Sequence, residues 1–236
     1  MGLILYPVNE MFATLQGEAT FAGTPSIFIR LQGCDVGCPW CDTKHTWNLD
    51  TSKQIDFVQL MQLAQLLQDS PEIDKDQDKW AYANADELAT FIENKYSQIG
   101  HVVITGGEPA IYDLRPLCTS LEAMGKQVQI ETSGTEDLLV SVDTWVTLSP
   151  KIDMPGRKIV LKNCVNRANE IKMPIGKPAD IVKFKNFLQI YPIDKKVPMW
   201  LQPLSQNKKA TMLCVEQALS NNWKVSLQTH KFIDIH

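Results

Sequence analysis

From residue 26 to its end, the chain alternates short apolar runs rich in β-branched residues with longer stretches of helical period, and this alternation restricts the fold more than any other feature. Such alternation buries a mostly parallel sheet under helices, so it specifies an α/β domain rather than a sandwich or a bundle. The pattern predicts strands over 26–32, 101–105, 127–132, 144–149, 168–173, 197–202 and 223–228. Helices are expected over 54–68, 85–97, 111–124, 157–167, 179–190 and 207–221. In the third helix Asp113 falls in the expected first turn and Gly125 at the expected C-terminal cap. The charged, turn-rich stretch 69–84 reads as irregular. With the apolar helix before it (Ile55, Val58, Met61, Leu63, Leu66, Leu67), it belongs to a long excursion at about 44–84, between the first and second expected strands. That helix reads as core rather than as an interface.

A chain of 236 residues suits a single domain over 1–236 and buries roughly 70–75% of its unfolded surface. It therefore needs no metal to hold its fold, and a metal site here points to chemistry. The 23 basic and 27 acidic residues give a net charge of −4 without any Lys/Arg cluster, which argues against a nucleic-acid partner. No apolar run approaches the length of a membrane span. Six cysteines in this length, with no signal peptide at the start, argue against a disulfide framework and for the reducing cytoplasm.

Three of those cysteines, Cys34, Cys38 and Cys41, stand in a CxxxCxxC run directly after the expected strand 26–32. Three is the informative number, because a structural zinc site normally closes with four ligands, whereas a four-iron cube held by three thiolates leaves one iron open. Zinc stays a possible reading if a histidine such as His45 supplies the fourth ligand. Cys118, Cys164 and Cys214 are scattered through periodic segments and read as small buried hydrophobes. A second signal is the strand His101-Val-Val-Ile-Thr105 running into Gly106-Gly-Glu-Pro109. Alone, glycines after a strand mark many turns; the order of the two segments, each at a strand end, gives them weight. In parallel α/β folds the chemistry gathers at the carboxyl ends of the strands.

Together these two segments resemble the radical S-adenosylmethionine (SAM) superfamily, whose fold is a partial, incomplete β/α barrel with a mostly parallel sheet. The flanking motifs narrow the resemblance: Asn9-Glu-Met-Phe-Ala-Thr-Leu-Gln-Gly-Glu18, Arg30, Cys41-Asp-Thr43, Glu131-Thr-Ser-Gly134, Ser149-Pro-Lys151, Leu201-Gln-Pro203 and Gln228-Thr-His-Lys231. This ordered set, covering nearly the whole chain, resembles the 7-carboxy-7-deazaguanine synthase family, and the cysteine spacing and insertion resemble its longer proteobacterial type. The resemblance implies conversion of 6-carboxy-5,6,7,8-tetrahydropterin to 7-carboxy-7-deazaguanine, with loss of ammonia, on the route to queuosine and related deazapurines. It further implies a lyase with a 4Fe-4S cluster, SAM used catalytically, Mg²⁺, a homodimer, and an electron donor such as flavodoxin.

Residue roles follow from the same resemblance. Cys34, Cys38 and Cys41 would hold the cluster and Thr43 the magnesium ion. Trp40 would lie near the adenine, Gly107 and Glu108 at the methionine end of SAM, and Ser149, Pro150, Lys151 and Gln202 at its other parts. Leu15, Gln16 and Gly17 would offer backbone groups to the pterin, and Arg30 a planar cation to its carboxylate. Thr105, Glu131, His230 and the terminal carboxylate at His236 would complete the substrate contacts. Glu131 is the one candidate for a catalytic proton-moving group. Taken without the resemblance, Trp40 reads as core, Thr43 as a loop threonine, Glu131 as a solvated strand-end acid and His230 as a satisfied core histidine. Two residues depart from the family pattern. Ala19 stands where a second glycine often follows Gln-Gly-Glu, and would restrict a positive-φ backbone; Ala110 stands where a cysteine or leucine is common. The rival readings are a glycyl-radical activating enzyme, which shares CxxxCxxC, and a catalytically silent iron–sulfur regulatory module.

Overall fold

A computed structural model describes residues 2–69, 78–233 and 235. Its nine strands are β1 (Tyr6–Leu15), β2 (Pro25–Leu31), β3 (Ala81–Ala83), β4 (His101–Gly106), β5 (Gln127–Thr132), β6 (Trp145–Leu148), β7 (Glu170–Ile175), β8 (Met199–Pro203) and β9 (Lys224–Val225). They form one sheet in the order β3-β1-β2-β4-β5-β6-β7-β8-β9. Strand β1 runs antiparallel to β2 and β3, and every other pairing is parallel. The sheet is open, with β3 and β9 as its two edges; it is the mostly parallel sheet that the alternation predicts and the incomplete barrel that the resemblance implies.

Six helices follow: α1 (Phe57–Asp69), α2 (Ala85–Tyr96), α3 (Arg115–Ala123), α4 (Lys162–Arg167), α5 (Pro178–Ile190) and α6 (Lys208–Asn221). They cover two apolar clusters on one face of the sheet. One centres on Ile27, Ile29, Val102, Ile104, Val128 and Ile130, the other on Leu148, Ile171, Met173, Phe184, Leu201 and Cys214. Cys118, Cys164 and Cys214 are fully buried, as the sequence suggests. Gly125 closes α3 as expected. It lies at φ +75, its N–H reaches Glu122 O, and Lys126 N–H reaches Leu121 O, the paired bonds of a Schellman turn.

Four expectations need correction. Strand β1 is absent from the sequence reading because its alternation breaks: Tyr6 and Val8 point to the core, then Met11, after a register shift between Val8 and Glu10. The stretch 69–84 is not wholly irregular, since β3 pairs with β1 and Trp80 and Ala81 are buried; residues 70–77 of it lie outside the described residues. The third helix starts at Arg115, not 111. Asp113 precedes it, its carboxylate accepting the Arg115 N–H at 3.1 Å, and Pro109–Ile111 form a separate 3-10 turn. The fourth helix starts at Lys162 rather than 157, because Arg157 takes φ 55 and Leu161 N–H is drawn to Gly134 O at 2.8 Å.

Beneath the site, His101 opens β4 at 2% exposure, its Nδ1 2.7 Å from Ser26 Oγ and its ring tilted on Phe21 with centroids 4.5 Å apart. Burial lowers this imidazole from 6.5 to about 4. The unfolded chain therefore takes the proton first. Stability is full above pH 6.5 and is lost as pH falls towards 4, by up to about 3 kcal/mol. A His101→Phe variant keeps the ring contact and removes the ionisation, so its Tm should fall less than the parent's between pH 7 and pH 5. Equal slopes in a calorimetric series would exclude His101 as the acid-sensitive group.

Candidate active site

Strand parity builds the site. Along β2, Ile27, Ile29 and Leu31 face the helices, so Phe28 and Arg30 face the opposite side. The same period turns Thr105 of β4, Glu131 of β5, Lys172 and Pro174 of β7 and Gln202 of β8 into one cavity of about 360 Å³ at the carboxyl ends of the strands. Register then sets neighbours: Arg30 lies beside Thr105, Glu131 beside Thr147, and Pro174 beside Gln202.

The cysteine loop forms one wall, with Cys34, Cys38, Cys41, Trp40 and Thr43 all on the cavity. Its geometry depends on two glycines. At Gly107 a Cβ would stand 2.2 Å from Gly33 O, and at Gly106, with φ +136, it would stand 2.2 Å from Leu31 O. Only glycine lets the end of β4 press so closely on the start of the loop. Bonds from Gly107 N–H to Leu31 O and from Glu108 N–H to Gly33 O fasten the two segments. Burial, with Glu108 and the other two cysteines nearby, pushes the Cys34 thiol up to about 11; burial also raises Cys38. Trp47 Nε1–H donates to Cys41 Sγ at 3.3 Å. Among the described residues no three His, Cys, Asp or Glu side chains converge as ligands of a single ion, and His45, the fourth ligand that zinc would require, is not on the cavity wall. Three thiols spread along one wall, one already holding an N–H···S bond, fit a cluster with an open iron better than a closed zinc site.

Across the cavity lies a buried charge network. Lys172, with its side chain 5% exposed, reaches both Glu18 and Glu131, the latter at 2.9 Å. Glu18 Oε1 also accepts from Gln228 Nε2 at 2.8 Å and Gln202 Nε2 at 3.2 Å. Burial alone would raise the Glu18 carboxyl, but Lys172, with help from the Gln228 amide, holds it down to about 2. Burial alone would depress Lys172, and its two carboxylates instead raise it above the ordinary lysine value. Gln16 Nε2 donates to Glu131 Oε1 at 3.1 Å and to Gln129 Oε1 at 3.3 Å, and its Oε1 accepts from Glu18 N–H. Glu131 is thus a networked acid, not a solvated one.

The remaining candidates sit as follows. Arg30 Nε donates to Glu10 Oε1, and its guanidinium lies 5.8 Å over the Phe12 ring, which stacks on Phe28. Glu108, 1% exposed, accepts from Thr132 Oγ1, Ala110 N–H and Ser133 N–H at 2.7, 3.0 and 2.7 Å, so its carboxylate ties the Gly-Gly-Glu-Pro turn to the end of β5. Lys151 Nζ donates to Ser149 Oγ at 2.5 Å, and burial lowers its ammonium while Cys38 opposes the shift. His230 lies against Gly17, where a Cβ would meet its Nδ1 at 2.1 Å, and burial lowers its imidazole against the pull of Glu18. Leu15, Gln16 and Gly17 line the cavity; Pro150 is buried off its wall; His236 lies outside the described residues. Ala19 does adopt a left-handed backbone, φ 53, at the place where the family pattern has glycine.

The sequence reading assigns no role to Glu10 and Glu18, which it holds only within a motif, nor to Trp47 and Lys172. Lys172 had a usable signal: with Glu170 and Pro174 it alternates with the apolar Ile171, Met173 and Ile175, so its side chain has to turn away from the helices.

No family model matches the chain. Whole-chain comparison does find relatives. The 7-carboxy-7-deazaguanine synthase of Escherichia coli (strain K12) is 46% identical over 230 residues, 98% of this chain and 99% of that protein. The enzyme of the same name from Synechocystis is 33% identical over 98% of this chain and 94% of its own length. The crystal structure of QueE from Escherichia coli superposes with a TM-score of 0.86 at 45% identity, covering 94% of this chain and 93% of that one. Identity at this level across almost the full length of both chains, with the same fold, shows that the chain belongs to the 7-carboxy-7-deazaguanine synthase family.

Proposed function

We propose that the chain is a radical SAM lyase that converts 6-carboxy-5,6,7,8-tetrahydropterin to 7-carboxy-7-deazaguanine, and that residues 1–236 act as one domain with the 44–84 excursion inserted. The observation that carries this reading is the single cavity with three cysteine thiols on one wall and the Glu18–Lys172–Glu131 network on the other. When bound, the cluster and SAM supply the one-electron cleavage that produces a hydrogen-abstracting radical; the hard chemistry is theirs, and the protein positions and holds charge. Cys34, Cys38 and Cys41 hold the cluster, and Trp47 tunes it through the bond to Cys41. Trp40, Gly107, Ser149, Lys151 and Gln202 receive SAM, while Glu108 keeps the glycine turn in place for it.

At the other end Arg30, braced by Glu10, uses its remaining N–H donors for the substrate carboxylate. Glu131 and the Gln16–Gly17 backbone accept and donate along the edge of the pterin, with Thr105 and His230 beside them. Thr43 would offer its hydroxyl to Mg²⁺, an ion that takes oxygen ligands. Replacing Thr43 by alanine should raise the Mg²⁺ concentration for half-maximal rate by more than the roughly tenfold that follows loss of an outer-shell partner; an unchanged magnesium titration would remove this assignment. A homodimer, a flavodoxin-type donor and a cytoplasmic setting complete the proposal. Six free cysteines accord with that setting, and no helix among the described residues is long and apolar enough to cross a membrane.

The test is anaerobic incubation of reconstituted protein with SAM, reductant, Mg²⁺ and the carboxytetrahydropterin, followed by mass spectrometry. Several molecules of the deazaguanine per molecule of SAM supplied are expected. SAM cleavage without pterin turnover would point instead to an activating enzyme, and no cleavage to a silent module.

A further inference from the structure

The connection from β6 to α4 does more than carry Ser149 and Lys151. It leans on the back of the cysteine loop and is fastened there. Gly156 N–H donates to Val36 O at 3.1 Å, and a Cβ on Gly156 would lie 2.1 Å from Asp35 O, so the two backbones meet at a distance only glycine permits. Two residues on, the Lys158 ammonium stands between the carboxylates of Asp35, at 2.6 Å, and Glu136. Asp35 lies inside the arc between Cys34 and Cys38, and Glu136 lies beyond the end of β5. The rest of the connection is held in an unfavourable shape. Asp153 and Arg157 both take φ 55, a conformation that costs an L residue about 1–2 kcal/mol and persists where the surroundings over-determine it. Lys183 of α5 anchors Asp153 at 3.0 Å.

Stability does not account for this arrangement. The Lys158, Glu136 and Asp35 side chains are 30, 26 and 56% exposed, and ion pairs so placed contribute about 0–1 kcal/mol. Location does account for it, because one ammonium links three segments that each reach the cavity or its rim.

We infer that Lys158 is a positioning residue for the cluster: it fixes the Cys34–Cys38 arc against the 153–158 connection and so ties the cysteine loop to the segment bearing Ser149 and Lys151. The inference rests on the assignment of Cys34, Cys38 and Cys41 as cluster ligands. It has an electrostatic signature that mere bracing lacks. A positive charge beside the arc favours the reduced cluster, and the Asp35 carboxylate opposes it, so deleting one or the other moves the reduction potential in opposite directions.

The experiment uses the full chain, reconstituted without oxygen, as parent, Lys158→Met, Lys158→Arg and Asp35→Asn. Two readouts are taken: the rate of iron loss to a chelator, and the cluster potential from a dye-mediated titration followed by EPR. Lys158→Met should lose iron about tenfold faster, the order expected when an outer-shell partner is removed, and its potential should fall below the parent's. Lys158→Arg should restore both. Asp35→Asn should also lose iron faster but show a potential above the parent's. Asp35 is half exposed, so that variant serves even if Lys158→Met misfolds. Unchanged rates and potentials, or potentials moving the same way in Lys158→Met and Asp35→Asn, would overturn the inference alone. A parent protein that takes up no cluster would overturn it together with the ligand assignment.

Discussion

Cys38→Ala loses SAM cleavage completely while the chain stays folded. Cys38 is 8% exposed but belongs to neither apolar cluster, and removing one sulfur there opens no hole beneath the sheet. What disappears is one of three thiolates on the cavity wall. The loss of activity should exceed the roughly 100-fold that follows removal of an outer-shell partner, because a ligand itself has gone. Deoxyadenosine formation, followed by chromatography, and far-ultraviolet circular dichroism of the same sample check both halves of the expectation. Residual cleavage near the parent rate would remove Cys38 from the ligand set.

Lys172→Met produces the second large effect, on stability and activity together. Breaking a buried ion pair from one side costs about 3–5 kcal/mol, since the partner charge stays behind unpaired. Here two carboxylates, Glu18 and Glu131, stay behind in one cavity. The pH dependence should change sign. In the parent, Glu18 is held at about 2 against an ordinary 4.5, so its contribution is present above pH 4.5 and is lost as pH falls through about 2. Lys172 is raised above its ordinary 10.5, so its contribution is full below that value and is lost as pH rises beyond it. The pair therefore stabilises the parent fully between about pH 4.5 and 10.5. Without Lys172, burial dominates at Glu18, the carboxyl rises, and acid relieves the strain of two adjacent anions. From pH 8 to pH 5 the pair's contribution to the parent is constant, so the Tm of Lys172→Met should rise relative to that of the parent, the loss from His101 being common to both. Turnover should drop about a hundredfold, as small displacements of reacting groups do, with Lys172→Arg recovering part of it. Parallel Tm profiles for parent and variant would show that the network is not electrostatically coupled.

Period and punctuation made much of this architecture readable in advance. Strands β2, β4 and β5 announce themselves through Ile27-Phe-Ile29, Val102-Val-Ile104 and Val128-Gln-Ile130, and their parity alone aims Arg30, Thr105 and Glu131 at one side. The bulge in β1 defeated the same logic, because a single extra residue moves the apolar set from Tyr6 and Val8 to Met11. β3 was hidden for a different reason: three residues, Ala-Tyr-Ala, carry too little pattern to stand out from the charged stretch before them. In the site, the motif-borne residues were legible because strand ends and glycine turns fix where they lie. Lys172 and Glu18 were less so. Their meaning resides in each other, across 154 residues of sequence, and only the curvature that brings β7 to the Gln16–Glu18 turn discloses it.

The proposed reaction requires an iron centre that SAM can reach. EPR of oxygen-free, reconstituted and reduced protein, recorded with and without SAM, is the most direct measurement. A four-iron cubane signal whose g-values shift when SAM is added is the expected result. No cubane signal, or one that SAM leaves untouched, would contradict the assignment of Cys34, Cys38 and Cys41 and the reaction built on it.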